Sequence, residues 1–97
     1  MKLDEYRMTI NSIDLSILHL IKSRQQAALG VGRYKLKNDL PILDRKRESE
    51  LKQRNMKLAK SIGVSEDLAL DFSKILMKHS KILQKDLIER KKVWSGH

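Results

Sequence analysis

The sequence predicts an all-α chain of three helices, one of them very long, paired with a second copy of itself. Three observations carry this. Only one proline and four glycines punctuate 97 residues. No segment keeps the period-two alternation of a half-buried strand. The first uninterrupted helical stretch is also too long for its own chain to cover.

The first helix runs from about Asp4 to about Asn38. Asn38-Asp39-Leu40-Pro41 breaks it, because Pro41 has no N–H and pushes Leu40 out of the α region. The second runs from about Asp44 to Ile62, with Asp44 as a cap and Glu48 in the first turn, where the helix dipole favours a carboxylate. Gly63 stands where a left-handed stop falls, and Ser65 is a plausible N-cap for a third helix from about Glu66 to Lys92. At about 1.5 Å per residue the first helix would span roughly 50 Å. A compact globule of this size has a radius of gyration near 13 Å, on the order of a quarter of that length. The long helix should therefore pack along another copy, giving a homodimer of single-domain chains spanning residues 1–97.

Composition narrows the function. Lys plus Arg number 21 against 12 acidic residues, a net charge of +9. That excess suits nucleic acid, an anionic membrane or a small multiply charged anion. The absence of cysteine excludes a disulfide scaffold, a thiolate zinc site and a cysteine nucleophile. Aromatics, at 4%, are too few for the stacking platforms of single-strand binders. No apolar stretch approaches the roughly 20 residues of a membrane span, and Met1-Lys2-Leu3-Asp4-Glu5 is no signal peptide, so a cytoplasmic location is expected. His19 and His79 are isolated and make no metal site.

Several charges stand in unexpected places. Ile10, Asp14, Ile17, Ile21, Arg24, Ala28, Val31 and Lys35 follow alternating steps of four and three, a continuous seam. Ionisable groups in such a seam are costly unless paired or binding something. Arg24 and Lys35 lie within about 20° of each other around the helix and roughly 16 Å apart along it. Their long side chains either converge on an anion or snorkel to water. Arg7 lies roughly 25 Å before Arg24 and is turned by about 100°. It cannot serve the same pocket in its own chain, but it could serve a partner's in an antiparallel dimer. On the third helix Phe72, Leu76, Leu83 and Leu87 form an apolar stripe edged by Ser80 and Gln84. That uncharged pair, one turn apart, faces either a ligand or solvent. Gly30 and Gly32, poor helix formers, permit close packing or a bend.

Taken in order, Arg7, Ile13-Asp14, Arg24, Lys35, Leu40-Pro41-Ile42, Asp44, Arg47-Glu48, Phe72, Ser80 and Gln84 resemble the all-helical class of chorismate mutases over about four-fifths of the chain. No single residue is specific; the ordered set is. The resemblance implies an intertwined dimer with two active sites, each built from both subunits, that converts chorismate to prephenate on the route to phenylalanine and tyrosine. It implies that Arg24 and the partner's Arg7 hold the two substrate carboxylates. Lys35 would contact a carboxylate and the ether oxygen, and Gln84 would donate to that oxygen. Glu48, helped by backbone at Asp44, would accept from the ring hydroxyl, and Ser80 would bond the ring carboxylate. Arg47 is expected to orient Glu48. No cofactor or metal is implied, and no regulatory, dehydratase or dehydrogenase domain is expected.

Two rivals remain. An isochorismate pyruvate lyase would use the same arginines and lysine, although such lyases tend to lack the set Asp44, Glu48 and Ser80. A basic helical module binding nucleic acid would use the charge excess, but the basic residues are spread over all three helices. The last stretch, Lys91-Lys92-Val93-Trp94-Ser95-Gly96-His97, falls outside the resemblance.

Overall fold

The computed structural model describes residues 2–95, with side chains as far as Lys91. It contains helix α1 (Leu3–Lys37), α2 (Arg45–Ile62) and α3 (Glu66–Ser95), and no strand among the described residues. The third helix runs past Lys92 to Ser95, since no breaker intervenes before Gly96.

Local chemistry sets each boundary. The Asp44 carboxylate accepts from Arg47 N at 3.0 Å and caps α2. Ser65 Oγ accepts from Leu68 N at 3.3 Å and caps α3. At the end of α2, Gly63 adopts φ 79° and Val64 N reaches back to Ala59 O at 2.8 Å. The end of α1 repeats that pattern with Leu40 N on Lys35 O at 2.8 Å. There the left-handed residue is Asp39, at φ 54°. Aspartate tolerates that conformation better than most side chains, and Pro41 prevents the helix from resuming.

Helix α3 lies between the other two, packing on both, while α1 and α2 do not pack on each other. The shared core is small: Ala28, Gly32, Ala59, Ala69 and Met77, with the polar Ser73 and Gln84. Small residues let the helices approach closely. Ser73 donates to Ala69 O at 2.8 Å and accepts from Asn55 Nδ2 at 2.9 Å, tying α2 to α3.

Only the second half of α1 takes part. In the seam Ala28 is buried and Ile21, Arg24 and Lys35 are half-buried, but Ile10, Asp14 and Ile17 are exposed. Every residue from 2 to 20 is exposed, including Leu3, Tyr6, Met8, Ile13 and Leu18. The molecule measures 61 × 27 × 15 Å and has a radius of gyration of 17.3 Å. That is well above the roughly 13 Å of a compact chain of this length. On α3, Leu76, Leu83 and Leu87 are half-buried as the stripe requires, but Phe72 remains 45% exposed. No helix among the described residues is long and apolar enough to cross a membrane.

Candidate active site

A cavity of about 320 Å³ opens where the end of α1, the start of α2 and the middle of α3 meet. Ala27, Ala28, Val31, Ile42, Leu51 and Met77 supply its apolar wall. Its polar lining is Arg24, Lys35, Asp44, Arg47, Glu48, Ser80, Lys81 and Gln84. Four cations face two carboxylates, so the cavity is electropositive.

From α1, one turn-periodic face delivers both Arg24 and Lys35. Arg24 Nη1 donates to Ser80 Oγ and, at 3.2 Å, to Leu76 O. Partial burial lowers its pKa from the ordinary value by desolvation, yet an arginine stays charged at any physiological pH. Among the described residues no carboxylate pairs with it. Its remaining N–H groups are open to an anion.

Lys35 is fixed by the turn that follows it. The left-handed step at Asp39 folds the chain back, so that Lys35 Nζ donates to Ile42 O at 2.7 Å. The same ammonium donates to Gln84 Oε1 at 3.2 Å, leaving one of its three protons uncommitted. This contact also orients the amide. An ammonium only donates, so Oε1 must face Lys35, and Nε2 remains a donor without a protein partner, not sealed from solvent although the residue as a whole is 5% exposed. Two donors of the pocket wall therefore sit side by side.

Ser80 already uses its hydrogen on Leu76 O at 2.9 Å while accepting from Arg24. To donate to a ligand, its hydroxyl must turn off that carbonyl, which Arg24 continues to satisfy. Asp44 lines the cavity too, with its Oδ1 held by the cap and its backbone carbonyl accepting from Glu48 N at 3.0 Å.

The structure brings six of the seven site residues read from the sequence to one cavity: Arg24, Lys35, Asp44, Glu48, Ser80 and Gln84. Arg7 is not among them. It lies on the exposed half of α1, 66% exposed, with Asp4 at 3.8 Å. The expectation for Arg47 needs correction. Glu48 pairs instead with Lys81, whose Nζ lies 3.0 Å from Oε2, and Arg47 makes no ion pair with it. Arg47 projects from the first turn of α2 and lines the cavity itself. Lys81 was absent from the sequence reading. The signal for it was the face Met77, Ser80, Lys81 and Gln84, spaced i, i+3, i+4 and i+7.

Comparison with known proteins gives the family. A curated chorismate mutase from Methanocaldococcus jannaschii is 39% identical over 88 residues, covering 91% of this chain and 89% of its own length. A bifunctional chorismate mutase/prephenate dehydratase from Buchnera aphidicola is 28% identical over 85 residues, and this chain spans 22% of it. The family model for chorismate mutase type II matches residues 6–85, a stretch that runs from the exposed start of α1 to just past Gln84. With the cavity's whole polar lining drawn from that stretch, the chain belongs to the type II chorismate mutase family.

Proposed function

We propose that this protein rearranges chorismate to prephenate in a pocket completed by a second copy of the chain. The observation that carries the reading is the pairing of Lys35 Nζ with Gln84, each keeping a free donor, beside an Arg24 guanidinium with no carboxylate partner among the described residues, in one electropositive cavity.

The reaction breaks a C–O bond and forms a C–C bond in one step. It requires neither a nucleophile nor a general base. The substrate dianion must be held folded, with its two reacting ends together. Negative charge grows on the ether oxygen as the C–O bond breaks, and preorganised donors there lower the barrier. Lys35 and Gln84 meet that second need, and Arg24 holds one carboxylate through its planar fork. Glu48 accepts from the ring hydroxyl beside the backbone of Asp44, and Ser80 binds the ring carboxylate once its hydroxyl turns. Even an acceleration of about 10⁶-fold requires roughly 8 kcal/mol, which a few kcal/mol from each ether-oxygen donor plus conformational restriction would supply.

The second carboxylate falls to the partner's Arg7. Two features support a homodimer in which α1 lies along its counterpart. The exposed half of α1 presents Ile10, Ile13 and Ile17 with nothing in its own chain to cover them. Arg7 cannot reach the cavity of its own chain, being seventeen residues before Arg24 on one continuous helix. The chain acts as a single domain in this arrangement, in the cytoplasm, without a cofactor.

The test is direct. Purified protein added to chorismate should remove its absorbance and yield prephenate by chromatography. Release of pyruvate from isochorismate alone would assign the pocket to a lyase. Turnover of neither, with a salt-sensitive gel shift, would turn attention to nucleic acid.

A further inference from the structure

Helix α3 carries several lysines, and Lys81 differs from Lys74, Lys78 and Lys85 in being half-buried. It belongs to the wall of the cavity, and its ammonium lies 3.0 Å from Glu48 Oε2. The surface ion pairs Arg7–Asp4 and Arg90–Asp86 join neighbours on one helix. Lys81–Glu48 instead crosses from α3 to the first turn of α2. Its side chains are 40% and 23% exposed, so solvent screens it less than the outer pairs.

Glu48 poses an electrostatic difficulty for the reading above. A carboxylate in the pocket repels a substrate that brings two more, yet a carboxylate is what accepts a ring hydroxyl well. Lys81 resolves both sides of this. It offsets the charge of Glu48, and by occupying Oε2 it leaves Oε1 as the free acceptor. Arg47, the neighbour in sequence, makes no such pair and stays available to the cavity as a separate cation.

We propose that Lys81 is a positioning residue, one that fixes the Glu48 carboxylate and balances its charge so that Oε1 accepts the ring hydroxyl of the substrate dianion. This rests on the mutase reading. It assigns Lys81 no contact with substrate; its effect passes through Glu48.

A double-mutant cycle tests it, with kcat and KM for chorismate measured on the parent, Lys81→Met, Lys81→Arg, Glu48→Gln and the Lys81→Met/Glu48→Gln double variant. Lys81→Met should lower kcat/KM by roughly tenfold, and Lys81→Arg should recover it to within about threefold. In the Glu48→Gln background, Lys81→Met should change kcat/KM by less than about twofold, because nothing is left to position. A full loss persisting in that background would overturn the proposal by making Lys81 a direct substrate contact. So would a Lys81→Met protein within about twofold of the parent. A parent that turns over chorismate while the two effects simply multiply sinks only the Lys81 proposal, whereas a parent without turnover sinks the mutase reading and this inference with it.

Discussion

Gln84 accepts from Lys35 through Oε1, and this leaves the nitrogen end of its amide as the group that can meet a developing negative charge. Replacing it with glutamate inverts that end. An ionised carboxylate only accepts, so Gln84→Glu should lose nearly all turnover near neutral pH. A glutamic acid donates again once protonated. Burial of this position favours the neutral acid while Lys35 favours the charged form, and in either balance the donating acid form gains population as pH falls. Activity of the variant should therefore rise as pH falls from about 8 to 5, and a flat profile there would remove Gln84 from the ether-oxygen position. Arg24, Lys35, Ser80 and Gln84 were legible in the sequence because each is a polar group on or beside an apolar helix face, and periodicity alone fixes the face. Lys81 lies on the same periodic face, but its pairing with Glu48 was not legible, because the α2–α3 crossing is a property of neither helix's periodicity. The same gap assigned Glu48 to Arg47, its neighbour in the chain.

Element boundaries followed local chemistry and were legible almost to the residue: the Asp44 cap, the Gly63 stop and the Pro41 break all act within a few positions of themselves. What Gly32 does was open between packing and bending. A Cβ there would lie 3.0 Å from Gln84 Cγ and 3.2 Å from Leu87 Cδ2, so the glycine permits a close approach of α1 to α3. Gly30, two positions earlier, has only Arg33 Nη2 within reach, at 3.8 Å. The two sites therefore respond differently to alanine. Gly30→Ala should raise stability by up to about 1 kcal/mol through helix propensity and leave kcat/KM within about twofold. Gly32→Ala should keep its melting temperature close to the parent's, since the propensity gain offsets the strain, but lose about tenfold or more in kcat/KM as Gln84 is pushed from its place. Melting curves read beside steady-state kinetics check both. Equal effects of the two substitutions on kcat/KM would show that helix contact at Gly32 does not set the pocket.

The whole molecule is elongated because a 35-residue helix has partners in its own chain for only its second half. Length and seam spacing were enough to see that a partner was needed; which residues it covers depends on the pairing itself. If Arg7 serves the opposite pocket, Arg7→Ala and Arg24→Ala proteins should each be nearly inactive. Mixed and allowed to exchange subunits, they should regain roughly a quarter of parental activity, since half the dimers would carry one intact site of two. No recovery after confirmed exchange would undo the shared arrangement. The bare half-helix has a further consequence, for the life of the chain in a cell. A helix of under twenty residues with no tertiary contact is marginal in water and opens readily. Proteases cut such segments first. A chain that has not found its counterpart would thus present a cleavable apolar end, one whose loss would take Arg7 with it, so turnover by quality control would fall on unassembled copies and spare the assembled enzyme.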